Sequence, residues 1–169
     1  TSTEALSPPG LARETALVER RTPVVTTVVS DQRALVGDRL RDTVRIRGLR
    51  PDDRIRVQWW LRGPVAPARD GSCRGLDWDD APLVDRGEFG ARGNGRHRTR
   101  WTRVTRSGCH TYSERVAATA ATEPVETAPG IASETSLVTR PPLSIVPEIP
   151  SGYRIAADDV ADDVTAPAP

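Results

Sequence analysis

The sequence predicts an all-β chain: an immunoglobulin-like antiparallel β-sandwich of seven to eight short strands with disordered or extended ends. Three observations predict it. Runs of β-branched or alternating residues recur about every 8 to 14 residues, the texture of a sandwich. Fifteen prolines and thirteen glycines among 169 residues punctuate these runs as turns. No segment carries a convincing helical period with caps, and "RIAADDVADDV" near the end is only a weak exception.

Residues 1–10 are rich in Ser, Thr and Pro and read as disordered or linker. "PVVTTVVS" (23–30) is β-branched almost throughout, so it reads as the first strand. "DTVRIRGL" (42–49) alternates Val44 and Ile46 against Arg45 and Arg47. "DRIRVQWWLRGP" (53–64) sets Ile55, Val57 and Trp59 on one face and Arg54, Arg56 and Gln58 on the other. Gly48 and "RPDD" supply the turn between these two runs. "VAPARDGSCRGLDWDDAP" (65–82) is too rich in Gly, Pro and Asp for regular structure. "LVDRGEFGAR" and "RHRTRWTRV" flank Asn94-Gly95, a dipeptide that predicts a hairpin. "SGCHTYSERVAA" (107–118) is a strand opened by Ser107-Gly108, and "SETSLVTR" (133–140) is the last.

The chain repeats itself. "PGLARETALVER" (9–20) and "PGIASETSLVTR" (129–140) agree at eight of twelve positions with a constant offset of 120. That period exceeds the roughly 20 to 50 residues of solenoid repeats and fits separate beads, each with its own core. The expected organisation is therefore a linker with the last strand of a preceding repeat (1–21), a complete module (22–140), and a Pro-rich acidic tail (141–169). Residues 11–18 then form an orphan strand.

Composition limits the function classes. Hydrophobic content of 37% allows a core of about 100 residues rather than 169. Net charge of +1 argues against a nucleic-acid binder. With no methionine, Thr1 is not a translation start, which implies a removed leader or an excerpt of a longer chain. No signal peptide is visible and no apolar run is long enough to span a bilayer. All 24 basic residues are arginine, so cross-links that require lysine are excluded. The two cysteines, Cys73 and Cys109, fit no zinc spacing; they read as a disulfide in a secreted chain or as buried thiols in a cytosolic one.

"VVTTVVSDQ", "DTVRIRGL", "WWLRGP", the Cys73 that follows, "SGCHTYSE" and "ETSLV" together resemble the immunoglobulin-like repeat modules of actinobacterial cell-surface proteins, wall-associated chains found beside sortase-type domains. The resemblance spans residues 23–140. It departs where such modules place a cysteine before the glycine of the closing phrase: Pro129 and Pro9 stand there. A relocated Cys73–Cys109 bridge is the simplest account. The resemblance implies an extracellular, wall-associated, non-catalytic spacer whose partners are neighbouring repeats, with no cofactor and no nucleic acid. The alternatives are an adhesin-type module holding wall polymers or glycans, and an accessory region of a sortase-linked protein.

The residues offer three candidate sites. Arg45, Arg47, Arg54, Arg56, Arg96, Arg98 and Arg100 repeat at i, i+2 and would make a polyanion-binding face if their strands share a sheet; the alternative is a solvated face paired with acids. Asp77, Asp79 and Asp80 with Asp70 are a weak calcium candidate, since calcium takes about six to eight convergent oxygens. Cys109-His110 is a poor nucleophile and base, because adjacent strand residues face opposite sides; His97 has no acid at a telling spacing. Trp59, Trp60 and Trp101 read as packing residues, with either Trp59 or Trp60 outward, and Tyr112 as a corner tyrosine bonded to backbone.

Overall fold

The computed structural model describes residues 19–142. Eleven strands form there: β1 Val24–Val29, β2 Arg33–Leu35, β3 Arg39–Leu40, β4 Asp42–Arg47, β5 Arg54–Val65, β6 Leu83–Arg92, β7 Gly95–Arg98, β8 Thr102–Arg103, β9 Gly108–Val116, β10 Val125–Glu126 and β11 Thr135–Thr139. A 3-10 turn, Ala132–Glu134, leads into β11. The orphan strand at 11–18 and nearly all of the acidic tail, from 143 onward, lie outside the described residues.

One sheet has the order β1-β4-β7; the other runs β2-β11-β9-β5-β6, with β10 on β9, and β3 with β8 makes a two-stranded ribbon. This is the immunoglobulin arrangement. The first edge is shared between the sheets: β1 pairs antiparallel with β4, then β2 runs parallel to the closing strand β11. Register also fixes the poles. Val24 lies opposite Arg47, beside the β4–β5 connection, and β9 ends near that pole with Val116 opposite Val57. Val138, near the end of β11, lies opposite Gly108 at the start of β9. The chain thus enters the sandwich at one pole and leaves it at the other.

Period two drives the burial. Val44 and Ile46 are buried while Arg45 and Arg47 are exposed, and Ile55, Val57, Trp59 and Leu61 line the inner face of β5. The core is two apolar clusters. Val29, Leu40, Trp59, Leu61, Val104, Tyr112 and Val138 make one; Val44, Ile46, Ile55, Val57, Ala91 and Val116 make the other. Each large aliphatic buried here contributes roughly 1.5 to 3 kcal/mol. Trp59 packs on Tyr112 with ring centroids 6.1 Å apart. Opposite it on β6 stands Gly87, where a Cβ would sit 2.6 Å from the indole.

Three expectations are corrected. Asn94-Gly95 does not close a hairpin, because β6 pairs with β5 and β7 with β4, so the chain crosses between sheets there. Gly93 takes the left-handed backbone (φ +62°) that the crossing needs. The Asn94 carboxamide oxygen accepts the Leu49 N–H at 2.9 Å, capping the neighbouring β4–β5 crossing instead of a tight turn. Tyr112 is buried, but its hydroxyl has no hydrogen-bond partner among the described residues, so it fills the core and does not bond backbone. Trp101 is 48% exposed, with the Arg41 guanidinium 4.2 Å above its ring. Of the adjacent pair, Trp59 is the inward one and Trp60 is half-buried.

β9 is buried on both faces. Loop 66–82 causes this: Trp78 and Ala81 pack with Cys109, Leu76, Val65 and Leu137 as a third cluster on the sheet's outer side. Cys73 and Cys109 form a disulfide with Cα atoms 5.6 Å apart, which pins the loop to β9. A separation of 36 residues corresponds to roughly 3 to 4 kcal/mol in the chain-entropy account.

Candidate functional site

A polar layer lies between the two apolar clusters. Thr27 on β1, Asp42 on β4, Glu114 on β9 and Glu134 at the end of the 3-10 turn are 4%, 0%, 1% and 2% exposed. Strand register turns them inward. Asp42 lies opposite Val29, two residues from Thr27 on the same face, and Glu114 lies opposite the core residue Trp59. The 3-10 turn, closed by the Glu134 N–H to the Ile131 carbonyl at 2.9 Å, presents the Glu134 side chain to β1. The Thr27 hydroxyl donates to Glu134 Oε1 across the two sheets. The Thr127 hydroxyl donates to Glu114 Oε2 at 2.8 Å and accepts the Glu114 N–H at 2.8 Å.

No cation compensates these acids. The ion pairs among the described residues are Arg21–Asp53, Arg56–Glu88, Arg92–Asp52 and Arg100–Asp85, all elsewhere. Both Asp42 oxygens, Glu114 Oε1 and Glu134 Oε2 have no hydrogen-bond partner among the described residues. Three unpaired buried carboxylates would cost several kcal/mol each, so the cluster retains protons. Burial, then the Asp42 charge, pushes Glu134 up to about 8. Burial and the same charge hold Glu114 well above the ordinary carboxylate range. Asp42 is raised less, to about 6, with burial the main cause. At neutral pH Asp42 is therefore the ionised member of the layer.

Sequence reasoning missed this layer. One signal was present: Glu134 is among the eight positions kept in both copies of the repeated phrase, as Glu14 in the first.

The arginines do not form one face. Arg45 and Arg96 are direct cross-strand partners on β4 and β7, with Arg47 and Arg98 one step along the same outer surface. None of these four has a carboxylate partner among the described residues. Arg54 and Arg56 stand on β5 in the other sheet, where Arg56 meets Glu88 at 3.5 Å. Arg100 lies beyond β7 and pairs with Asp85, whose carboxyl the guanidinium holds below its ordinary range.

The loop acids serve the loop. Asp70 accepts the Ser72 N–H and Asp77 the Asp79 N–H, each at 2.9 Å, and no group of three such side chains able to hold a metal ion occurs among the described residues. Asp79 and Asp80 are exposed. Cys109 is in the disulfide. His110 is buried against the Arg106 carbonyl at 3.1 Å, and burial lowers its basicity. His97 stacks on Phe89 with centroids 5.0 Å apart.

No protein-family model matches the chain, and no curated protein matches it. Among solved structures it is similar to the CARDB domain of a Pyrococcus furiosus protein in complex with di-metal ions, at 9% identity and a TM-score of 0.39, covering 71% of this chain and 96% of that one. It is also similar to a β-glucosidase from Listeria innocua in complex with isofagomine, at 11% identity and a TM-score of 0.38, covering 70% of this chain and 16% of that one. Likenesses this remote say nothing of activity, metal or sugar here, and the fold assignment rests on the chain's own strand pairing.

Proposed function

We propose that the chain is a non-catalytic spacer module of a multi-repeat bacterial surface protein, holding a functional domain away from the cell. The observation that carries this reading is the polar placement of the chain's entry at Val24 and exit at Thr139. A module entered at one pole and left at the other stacks end to end, whereas one whose ends adjoin folds back on its neighbour. Two further features support it: the phrase that recurs at an offset of 120 residues and the disulfide suited to an oxidising exterior. Small-angle scattering of one unit and of two consecutive units tests it. The maximum dimension should nearly double with the second unit; an unchanged dimension, with the modules packed side by side, refutes the reading.

A second reading has its own observation: Arg45, Arg47, Arg96 and Arg98 share an outer face without counter-charges. Like charges placed directly opposite destabilise a sheet, so a ligand with repeated phosphate or sulfate groups would relieve them. Binding to heparin or to wall teichoic acid should fall at least tenfold in R45E/R96E and weaken steeply with salt. Equal binding by the folded variant rejects this reading.

A further inference from the structure

We propose that the acidic segment at residues 158–163 docks, within its own chain, on the outer face of the sheet β1-β4-β7 and neutralises Arg45, Arg47, Arg96 and Arg98. The near-neutral net charge conceals a division of sign. Residues 19–142 hold 22 arginines against 16 acids, whereas residues 143–169 hold only Arg154 against five acids. Four of those five are Asp158, Asp159, Asp162 and Asp163. A basic module and an acidic tail on one tether attract each other, and the contact forms where geometry lets the charges meet.

The arginine face is built to receive such a segment. Arg45 stands opposite Arg96 and Thr43 opposite Arg98, so the four positions extend over four residues of strand, roughly 13 Å. All four are exposed. The three strands contain a single acid, Asp42, and it is buried. On the rest of the surface Arg56, Arg92 and Arg100 each meet a carboxylate. Arg45, Arg47, Asn94, Gly95 and Arg96 line a shallow groove. Val24 and Val28 on β1, each 55% exposed, border it as an apolar rim.

The tail matches this surface in charge, spacing and reach. Asp158-Asp159 and Asp162-Asp163 recur at an interval of four residues, with Val160 and Val164 beside them for the apolar rim. Four residues span about 6 Å as helix and about 13 Å as extended chain, within the length of the arginine patch in either case. The seventeen residues 141–157 separate Arg140 from Asp158 and can span about 50 Å. The six residues of β4 cover only about 20 Å. The chain also leaves the module at the pole nearer Arg98. A tether of this length holds its end at an effective concentration on the order of millimolar, so weak ion pairs suffice to keep the segment docked at low salt. The docked segment occupies the face to which the second functional reading assigns a polyanion and competes with it there; the docking itself stands whether or not the module is a spacer.

Amide NMR of the isotope-labelled full chain tests the proposal. In low salt, D158N/D159N/D162N/D163N should shift the amides of β4 and β7 around the four arginines and leave those of β5 and β6 in place. Raising the wild type to about 0.5 M sodium chloride should shift the same amides in the same direction, because the Debye length falls to roughly 4 Å. Both shifts should be unchanged over about a fiftyfold range of protein concentration, as a contact within one chain requires. Identical wild-type and variant spectra over β4 and β7 overturn the proposal. Shifts that grow with concentration also overturn it, since they place the tail on another copy. Heparin separates this proposal from the polyanion reading. If both hold, the asparagine variant should bind heparin at least about threefold more tightly than the wild type; equal, measurable binding by the two overturns the docking. Heparin binding by neither protein rejects the polyanion reading alone, because the amide shifts are read without heparin.

Discussion

Thermal stability should be highest in mild acid and fall as the pH rises from 5 to 9, the reverse of the trend for a domain held by surface ion pairs. The cause is the buried acid layer. Glu114 and Glu134 titrate above their ordinary range in the folded state. Between pH 4.5 and the folded values, the native chain therefore holds protons that the unfolded chain has released. Stability declines with pH wherever the folded state binds more protons, so the contribution is complete below the unfolded pKa and lost as pH rises through the folded one. For Glu134, moved from 4.5 to about 8, the limit is roughly 5 kcal/mol at about 1.4 kcal/mol per unit. Core relaxation and water entry reduce this, and a Tm lower by about 10 °C at pH 9 than at pH 5 is the expected size. Below pH 4 the sign reverses, because Asp85 and Asp70 titrate low and their contributions vanish on protonation.

Glu114→Gln should flatten that profile. The amide is permanently neutral, so it spares the core a second buried charge at high pH; at pH 9 the variant should match or exceed the wild type while at pH 5 it should be slightly weaker. Calorimetry across pH 4 to 10 decides the matter: a Tm that is flat or rising between pH 5 and 9 would mean that the acids are solvated in solution.

How much of this was legible in the sequence depended on whether a feature was local. The strands at Val24–Val29, Asp42–Arg47, Arg54–Val65 and Leu83–Arg92 could be read because alternation is a property of neighbours along the chain. Asn94-Gly95 misled for the same reason. A tight-turn dipeptide reports local backbone preference, and which sheet the next strand joins is decided by the free edge of β4. The seven arginines show the same limit: i, i+2 spacing established each pair's face, but only the sheet order separated Arg54 and Arg56 from Arg45 and Arg96. The acid layer was hidden because Asp42, Glu114 and Glu134 stand far apart in sequence and each looks like an ordinary surface acid. Only the survival of Glu134 in the repeated phrase set one of them apart.

Loss of the Cys73–Cys109 bridge should have the second large effect, and its character distinguishes a staple from an ornament. The bridge joins an irregular loop to a strand whose outer face would otherwise be bare. Trp78 sits there against Gly130, whose missing side chain leaves room for the indole; at φ +89° this is also backbone that favours glycine. C73S/C109S should therefore lower stability by roughly 3 to 4 kcal/mol, about 10 °C or more in Tm for a domain of this size. The damage should also be uneven. With the tether gone, loop 66–82 retains only Trp78, Ala81 and Leu76 as anchors. Its amides should exchange orders of magnitude faster, while those of β4 and β5 slow and quicken only with global stability. Trp78 emission should shift to the red as the loop lifts, with Trp59 still buried against Tyr112. If the loop keeps its protection in the double serine variant, the apolar contacts alone hold it, and the disulfide acts only on the unfolded chain.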